Sequence, residues 1–436
     1  MKKITATVAA AVILCGCTAN TPSAQTDTTA PETTAAQTEI QSETRSEAAE
    51  TESSETAEDT QTSSDTEAQT SADTEQTTAE ETPAGNDYRT LYKAKLREIM
   101  DEHKNEDMST FKFSLYDVGG DDTPELIISE GEWHAASAEL FAVKDGSVEF
   151  VGYVGSYGEA VYMPGKKAFN NANGGMGYFY NTLTEFDGSG LKDGISIEGY
   201  SGPDYNSDDY DTTIEEYTVN GEKVTSDEYY KTYEENFDSY FVSLGRNFFI
   251  NEHAISAVFD DLGAEKGFDE LILSVPTEGE QWGLPEKMAY VDMTGDGSPE
   301  LIFSNGYSCD MYSYDKGVKY AGSIPSYGYS PYEYFNTMDL DVDYSETDTV
   351  YTLTVNEKEG KAVWRQHSLS DDFYISTYES GMLYALHHYQ AIKLTDGTYV
   401  YAVDGKQTDE SDYDTYTQGL FSDDYKEIEF YGLAVG

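Results

Sequence analysis

The chain has 436 residues, 83 of them Asp or Glu against 26 Lys or Arg, for a formal net charge of −57. A surface this acidic repels phosphate backbones and anionic lipid heads, which excludes nucleic-acid binding and basic membrane docking, and it draws cations. The length allows two or three domains, and 37 tyrosines against three tryptophans, amid abundant Gly, favour strands and turns over helices.

Met1-Lys2-Lys3 and the apolar run from Ile4 to Leu14 predict an export signal over residues 1–16, too short to remain as a membrane-spanning helix. Leu14-Cys15-Gly16-Cys17 resembles the bacterial lipobox. That resemblance implies cleavage before Cys17, acylation of Cys17, and anchoring to the outer face of the cytoplasmic membrane; an ordinary cleaved signal without lipid is the alternative. Cys309 is then the one thiol left, so no internal disulfide is expected. Residues 17–85 form a Thr/Glu/Ser/Ala tract without aromatic residues, and residues 18–85 hold 16 acids and one base, Arg45. Such a composition predicts a disordered linker, with an end-to-end distance of roughly 45 Å, tethering the folded part to the membrane.

Order is expected from Asn86. Tyr88, Leu91, Tyr92, Leu96 and Ile99 share one helical face, capped by Asn86 or Asp87. Strands follow before Asp117, at Glu125–Ser129, Ala138–Val143, Val148–Val154, Gly177–Phe186 and Ile195–Tyr200, with Lys144-Asp145-Gly146 and Asp187-Gly188 as turns. Residues 86–245 make a first helix-plus-β unit. Thr225 opens a helix running to about Phe237 as part of a capping box. Asn251 caps another, on which Ile255, Val258, Phe259 and Leu262 share a face and Gly263 is the stop. Residues 246–436 make a second unit of the same kind, with strands at Thr349–Asn356 and Lys361–Gln366, a short helix around Gly381–Gln390 and a hairpin at Asp396-Gly397. The fold class is mainly β (α+β): two related antiparallel units, propeller-like or sandwich, each preceded by short helices.

Two stretches carry the chemistry. In Asp292-Met293-Thr294-Gly295-Asp296-Gly297-Ser298-Pro299-Glu300, the side chains of Asp292, Thr294, Asp296 and Glu300 can converge on one point, and Gly297 permits a turn with positive φ. Calcium takes six to eight oxygen ligands of this type. The twelfth position, where a helical EF-hand needs Glu, is Phe303, and the residues after Pro299 are β-prone, so the loop reads as a calcium-type turn between strands. The alternative is an acidic turn whose side chains cap their own backbone. Residues 113–131 align without gaps on residues 288–306, with nine of nineteen pairs identical. The likeness continues through Lys144–Gly152 against Tyr314–Gly322, which predicts a duplication.

The strand–DxxGDGxPEL–strand pattern resembles the FG-GAP and VCBS type of extracellular calcium-binding β repeat. Together with the lipobox and acidic linker, it is similar to uncharacterised secreted lipoproteins of Gram-positive bacteria. The resemblance implies Asp292, Thr294, Asp296, Ser298 (by its carbonyl) and Glu300 as metal ligands in the second loop. In the first it implies Asp117, Asp121, Thr123 (carbonyl) and Glu125. There Gly119 offers no side chain and Asp122 replaces the turn glycine, which weakens that loop.

Asp204–Asp211 and Asp339–Asp343 are further acidic clusters, the second placing three carboxylates on one face if it is a strand. No G-x-S-x-G, H-E-x-x-H, P-loop or Rossmann pattern occurs. Cys309 reads as a small strand residue. Tyr157, Tyr327, Tyr329, Tyr332 and Tyr334 offer a stacking platform or are half-buried strand residues. The expected function is a calcium-stabilised, non-catalytic surface module, acting as a monomer, that binds a glycan, peptide or wall component. The alternative is an extracellular hydrolase acting on polysaccharide or peptidoglycan through two convergent carboxylates.

Overall fold

A computed structural model describes residues 87–433, apart from 132, 134–135, 176, 204–212, 238–240, 277–283, 325–339, 344–349 and 368–369. Among the described residues the chain is mainly β, with four antiparallel sheets and short helices. The export signal, Cys17, the linker and the Asp204–Asp211 cluster lie outside the described residues.

In the first unit, Asp87 accepts the Arg89 amide and caps α1 (Tyr88–Glu102), which buries Tyr92, Leu96 and Ile99. Then β1 (Lys112–Tyr116), β2 (Glu125–Ser129), β3 (Ala138–Lys144) and β4 (Ser147–Val154) run up and down as one sheet. A second meander follows: β5 (Ala160–Met163), β6 (Ala168–Gly175), β7 (Tyr178–Phe186), β8 (Leu191–Pro203), β9 (Thr213–Val219) and β10 (Glu222–Val224). Thr225 caps α2 (Ser226–Asn236) through the Glu228 amide. The chain then returns: β11 (Val242–Leu244) pairs with β5, and β12 (Phe248–Phe249) pairs with β1. The unit therefore closes beyond residue 245, as a five-stranded sheet β12-β1-β2-β3-β4 and a seven-stranded sheet β10-β9-β8-β7-β6-β5-β11.

The second unit repeats this plan strand for strand. After α3 (Glu252–Phe259) and α4 (Ala264–Ser274) come β13 (Lys287–Val291), β14 (Glu300–Ser304), β15 (Cys309–Tyr314) and β16 (Val318–Ile324). The second meander is β17 (Val350–Asn356), β18 (Lys361–His367), β19 (Ser370–Glu379), β20 (Met382–Lys393), β21 (Tyr399–Val403) and β22 (Lys406–Thr408). Then α5 (Glu410–Thr417) leads to β23 (Lys426–Glu427), which pairs with β17, and β24 (Tyr431–Gly432), which pairs with β13. The duplication reaches through the last hundred residues, where the sequence shows no likeness.

Burial explains the layers. In β2, Leu126 and Ile128 join a core with Tyr92, Leu96, Ile255 and Phe268, while Ile127 joins Leu140, Tyr162 and Phe169 between the two sheets. In β14, Leu301 and Phe303 enter that same helical core, and Ile302 packs with Met311, Leu353 and Trp364. Both strands are buried on both faces, hence their unbroken apolar runs. Each unit is thus a sandwich of a five- and a seven-stranded sheet, and α1, α3 and α4 form a layer shared by both five-stranded sheets. On the outer faces, α2 sets Tyr229 against Leu183 and Ile197, and α5 sets Tyr413 against Phe373 and Ile375.

Three expectations need correction. Gly381–Gln390 is strand, not helix: Ser380 (φ 52°) and Gly381 (φ 84°) make a hairpin turn with two positive φ values, and β20 pairs with β19 along its length. Gly263 is not the stop of the helix that Asn251 caps: α3 ends at Phe259 with Asp260 as its C-cap, leaving Leu262 outside it, and Gly263 instead precedes α4, a helix that was not foreseen. Within Asp339–Asp343 the described part is not a strand, because Val342 makes only an isolated bridge to Leu394; Asp341 accepts from the Thr395 hydroxyl and Asp343 pairs with Lys393.

Candidate functional site

Each acidic loop joins the first two strands of its unit, β1 to β2 and β13 to β14. In the second loop, Asp292 Oδ1 accepts the Asp296 amide at 3.1 Å and Oδ2 the Gly297 amide at 2.8 Å. Asp296 Oδ1 accepts the Ser298 amide at 2.7 Å. Glu300, 6% exposed, turns inward so that Oε2 accepts the Met293 amide at 2.9 Å. Thr294, Asp296 and Ser298 are exposed.

The first loop reproduces this pattern. Asp117 Oδ1 accepts the Gly120 and Asp121 amides at 2.6 and 3.1 Å, and Oδ2 the Asp122 amide at 2.9 Å. Asp121 Oδ1 accepts the Thr123 amide at 2.9 Å. Glu125, 5% exposed, accepts the Val118 and Gly119 amides at 2.9 and 3.2 Å. Asp122 has φ 67°, the left-handed value that its counterpart Gly297 adopts at 85°. The two loops therefore share one backbone path despite the change of residue.

In both loops, then, the carboxylates are held by hydrogen bonds from the loop's own amides. A carboxylate has about four acceptor sites, so these bonds leave lone pairs unused. Among the described residues, no three His, Cys, Asp or Glu side chains are gathered as a metal-binding group.

Electrostatics single out the two glutamates. Burial pushes the Glu125 carboxyl up to about 7, with Asp117 and Asp121 adding to the rise and its amide donors opposing it. Burial raises Glu300 as well, again with its loop aspartates, Asp292 and Asp296, adding to it. A raised carboxyl is what a hydrolytic general acid needs, but Glu125 is closed off from solvent.

Sequence reasoning missed the tyrosines around these loops. Tyr378, at the end of β19, has its phenol raised by burial and by Glu300 and Asp296. Tyr116 is raised by burial, then by Tyr384 and Asp117, and the Tyr162 hydroxyl donates to the Val118 carbonyl at 3.0 Å. Tyr378 and Tyr384 lie far from the loops in sequence; only the β19–β20 hairpin brings them near, and no local pattern signals it. Of the proposed aromatic platform only Tyr157 lies within the described residues, with φ 55° and its carbonyl accepting from Arg246. Cys309 is a free thiol at the start of β15, buried in the sandwich core, and burial pushes it up.

His387 and His388, adjacent on a strand, face opposite sides. His388 Nε2 lies 2.9 Å from Asp372 Oδ1 and its ring stacks on Tyr374 at 4.2 Å, whereas His387 is exposed and meets Asp404 at 2.9 Å.

No family model matches the chain, and no curated protein matches it. Among solved structures it is similar to a protein from Lactobacillus plantarum at 8% identity, over 67% of this chain and 84% of that one, with a TM-score of 0.17. A likeness that low carries no argument about fold or function.

Proposed function

We propose that this is an exported protein, anchored through lipidated Cys17, whose two sandwiches form a calcium-stabilised, non-catalytic surface module for a glycan, peptide or wall component. One observation carries the calcium reading: both loops hold paired aspartates and an inward glutamate on the same backbone path, at the entry to the strand buried on both faces of each unit. Calcium at such a loop is held by Asp292, Thr294, Asp296, Glu300 and the Ser298 carbonyl, and by Asp117, Asp121, Glu125 and the Thr123 carbonyl in the first copy. A divalent ion there offsets carboxylate repulsion in a chain that carries −57 overall.

The test is thermal unfolding of the full chain with calcium and with chelator. Calcium should raise the melting temperature, by mass action on the folded state, and Asp296→Ala should remove most of that rise. An unchanged melting curve in chelator would dismiss the ion. For the anchor, Cys17→Ser should shift the protein from the membrane to the soluble fraction; retention there would count against lipidation.

A further inference from the structure

The same surface is fully covered in one unit and partly bare in the other, and the chain itself shows what covers it. Strand register pairs the positions. Leu126 sits opposite Phe141 and Leu301 opposite Tyr312, so Glu139, Phe141, Phe150 and Tyr153 of β3–β4 correspond to Asp310, Tyr312, Tyr320 and Ser323 of β15–β16. Both strand pairs carry a bulge at the same place. The rings coincide as well: Phe141 and Phe150 lie 5.6 Å apart at 64°, Tyr312 and Tyr320 5.6 Å apart at 65°.

In the second unit this surface is closed by the edge of the first unit's sheet. Phe248 of β12 lies 5.7 Å from the Tyr312 ring, the Tyr312 hydroxyl donates to the Asn247 carbonyl at 3.0 Å, and Lys112 of β1 faces Asp310 electrostatically. In the first unit, Lys95 of α1 roofs Phe141 at 5.3 Å, but Phe150 and Tyr153 remain 49% and 62% exposed beside Glu139. The matching edge of the second unit is open too. Register places Lys287 at Lys112's position and Tyr431 at Phe248's, and Tyr431 is 61% exposed.

We infer that a second copy of this chain docks its β13–β24 edge on the β3–β4 face, repeating between molecules the contact that joins the two units within one. Tyr431 takes the place of Phe248 against the exposed Phe150 and Tyr153, outside the part of the face that Lys95 already roofs, and Lys287 takes that of Lys112 beside Glu139. Lysine meeting glutamate supplies the local charge complementarity. The contact uses different patches on the two partners, so it is head-to-tail; with a rotation that does not close a ring it leaves a free end at each side of a complex, and open chains result. It departs from the single-copy expectation and does not depend on calcium.

Sedimentation of the full chain, in chelator and at high salt to screen the mutual repulsion of acidic molecules, tests it. The native protein should grow past a dimer as its concentration rises. Tyr153→Arg and Tyr431→Arg, both at exposed sites, should each sediment as monomers with unchanged circular dichroism. Mixed in equal amounts, they should form a one-to-one dimer and nothing larger, because each variant keeps the end that the other has lost. Tyr153→Ser, which copies the residue at 323, should weaken growth without introducing charge. A native protein that stays monomeric to millimolar concentration, one that stops at a dimer, or variants that assemble as the native does would each overturn the proposal; binding of a glycan or peptide to this face by a protein that stays monomeric would assign it another occupant.

Discussion

The two units follow one plan but differ in how their acidic loops are built and in what their sheets leave bare. The first loop has Gly119 where the second has Thr294, and forces Asp122 into the conformation that Gly297 adopts freely. Yet Asp117 repeats both bonds of Asp292 and adds the Gly120 amide, and Glu125 repeats the bond of Glu300 and adds the Gly119 amide. The shared backbone path therefore depends on the aspartate that opens each loop and the glutamate that ends it. The residues between them are free to drift, and with them the ligands available to an ion.

The largest effects should come from the layer the units share. Leu126→Ala and Leu301→Ala, one in each unit and both facing the same helices, should each cost about 2–5 kcal/mol, the usual range for such core truncations. Denaturant unfolding of either variant should stay a single transition; two separated transitions would show that the helices do not bind the units into one cooperative body.

Next come the glutamates. Glu125→Ala and Glu300→Ala each strip the acceptor from buried amides, at about 1–3 kcal/mol. Glutamine keeps an acceptor oxygen and loses the charge, so Glu300→Gln should recover much of that stability while losing the calcium response. Equal calcium responses in Gln and native protein would separate the amide role from any ionic one.

A pH comparison follows. Burial holds the Asp310 carboxyl above its ordinary 3.8, although the Ser323 and Tyr320 hydroxyls pull the other way. A raised carboxyl binds its proton more tightly in the folded state, so its contribution is full below the ordinary value and fades as pH climbs past it. Asp310→Asn should flatten that fall and stabilise the protein at neutral pH. Glu139→Gln, at the matching position, should do so less, because Glu139 is less deeply buried, while a lysine opposes the shift at both positions. A steeper pH dependence in either variant would contradict the burial argument. The smallest effect is at Asp122→Gly, which removes a left-handed non-glycine residue and should gain about 1 kcal/mol, read from chemical denaturation.

How far the sequence disclosed this architecture depends on the kind of signal. The loops and the first sheet of each unit were legible because Asp117/Asp292, Pro124/Pro299 and Glu125/Glu300 keep their spacing, and the Thr225 and Asn251 caps were legible because side chain and amide are neighbours in sequence. The seven-stranded sheets were not legible as a repeat, because strands need only alternation and volume to pack, and those survive complete loss of identity. Met382-Leu383-Tyr384-Ala385-Leu386 has good helix formers, and pairing with β19 overrode them. The Ser380-Gly381 turn was the local clue to the hairpin. Tyr378, Tyr384 and the open face at Tyr153 emerge only from tertiary placement.

The return of β11–β12 and β23–β24 to the start of their units has a kinetic consequence. In each unit, strands β1 and β13 have one neighbour until nearly the whole unit has been made, so both sheets wait on their last residues. Such long-range closure slows folding and keeps a bare strand edge exposed meanwhile. Clipping residues 426–433 would leave β13 and β17 in that condition permanently, turning a finished sandwich into a template for aggregation.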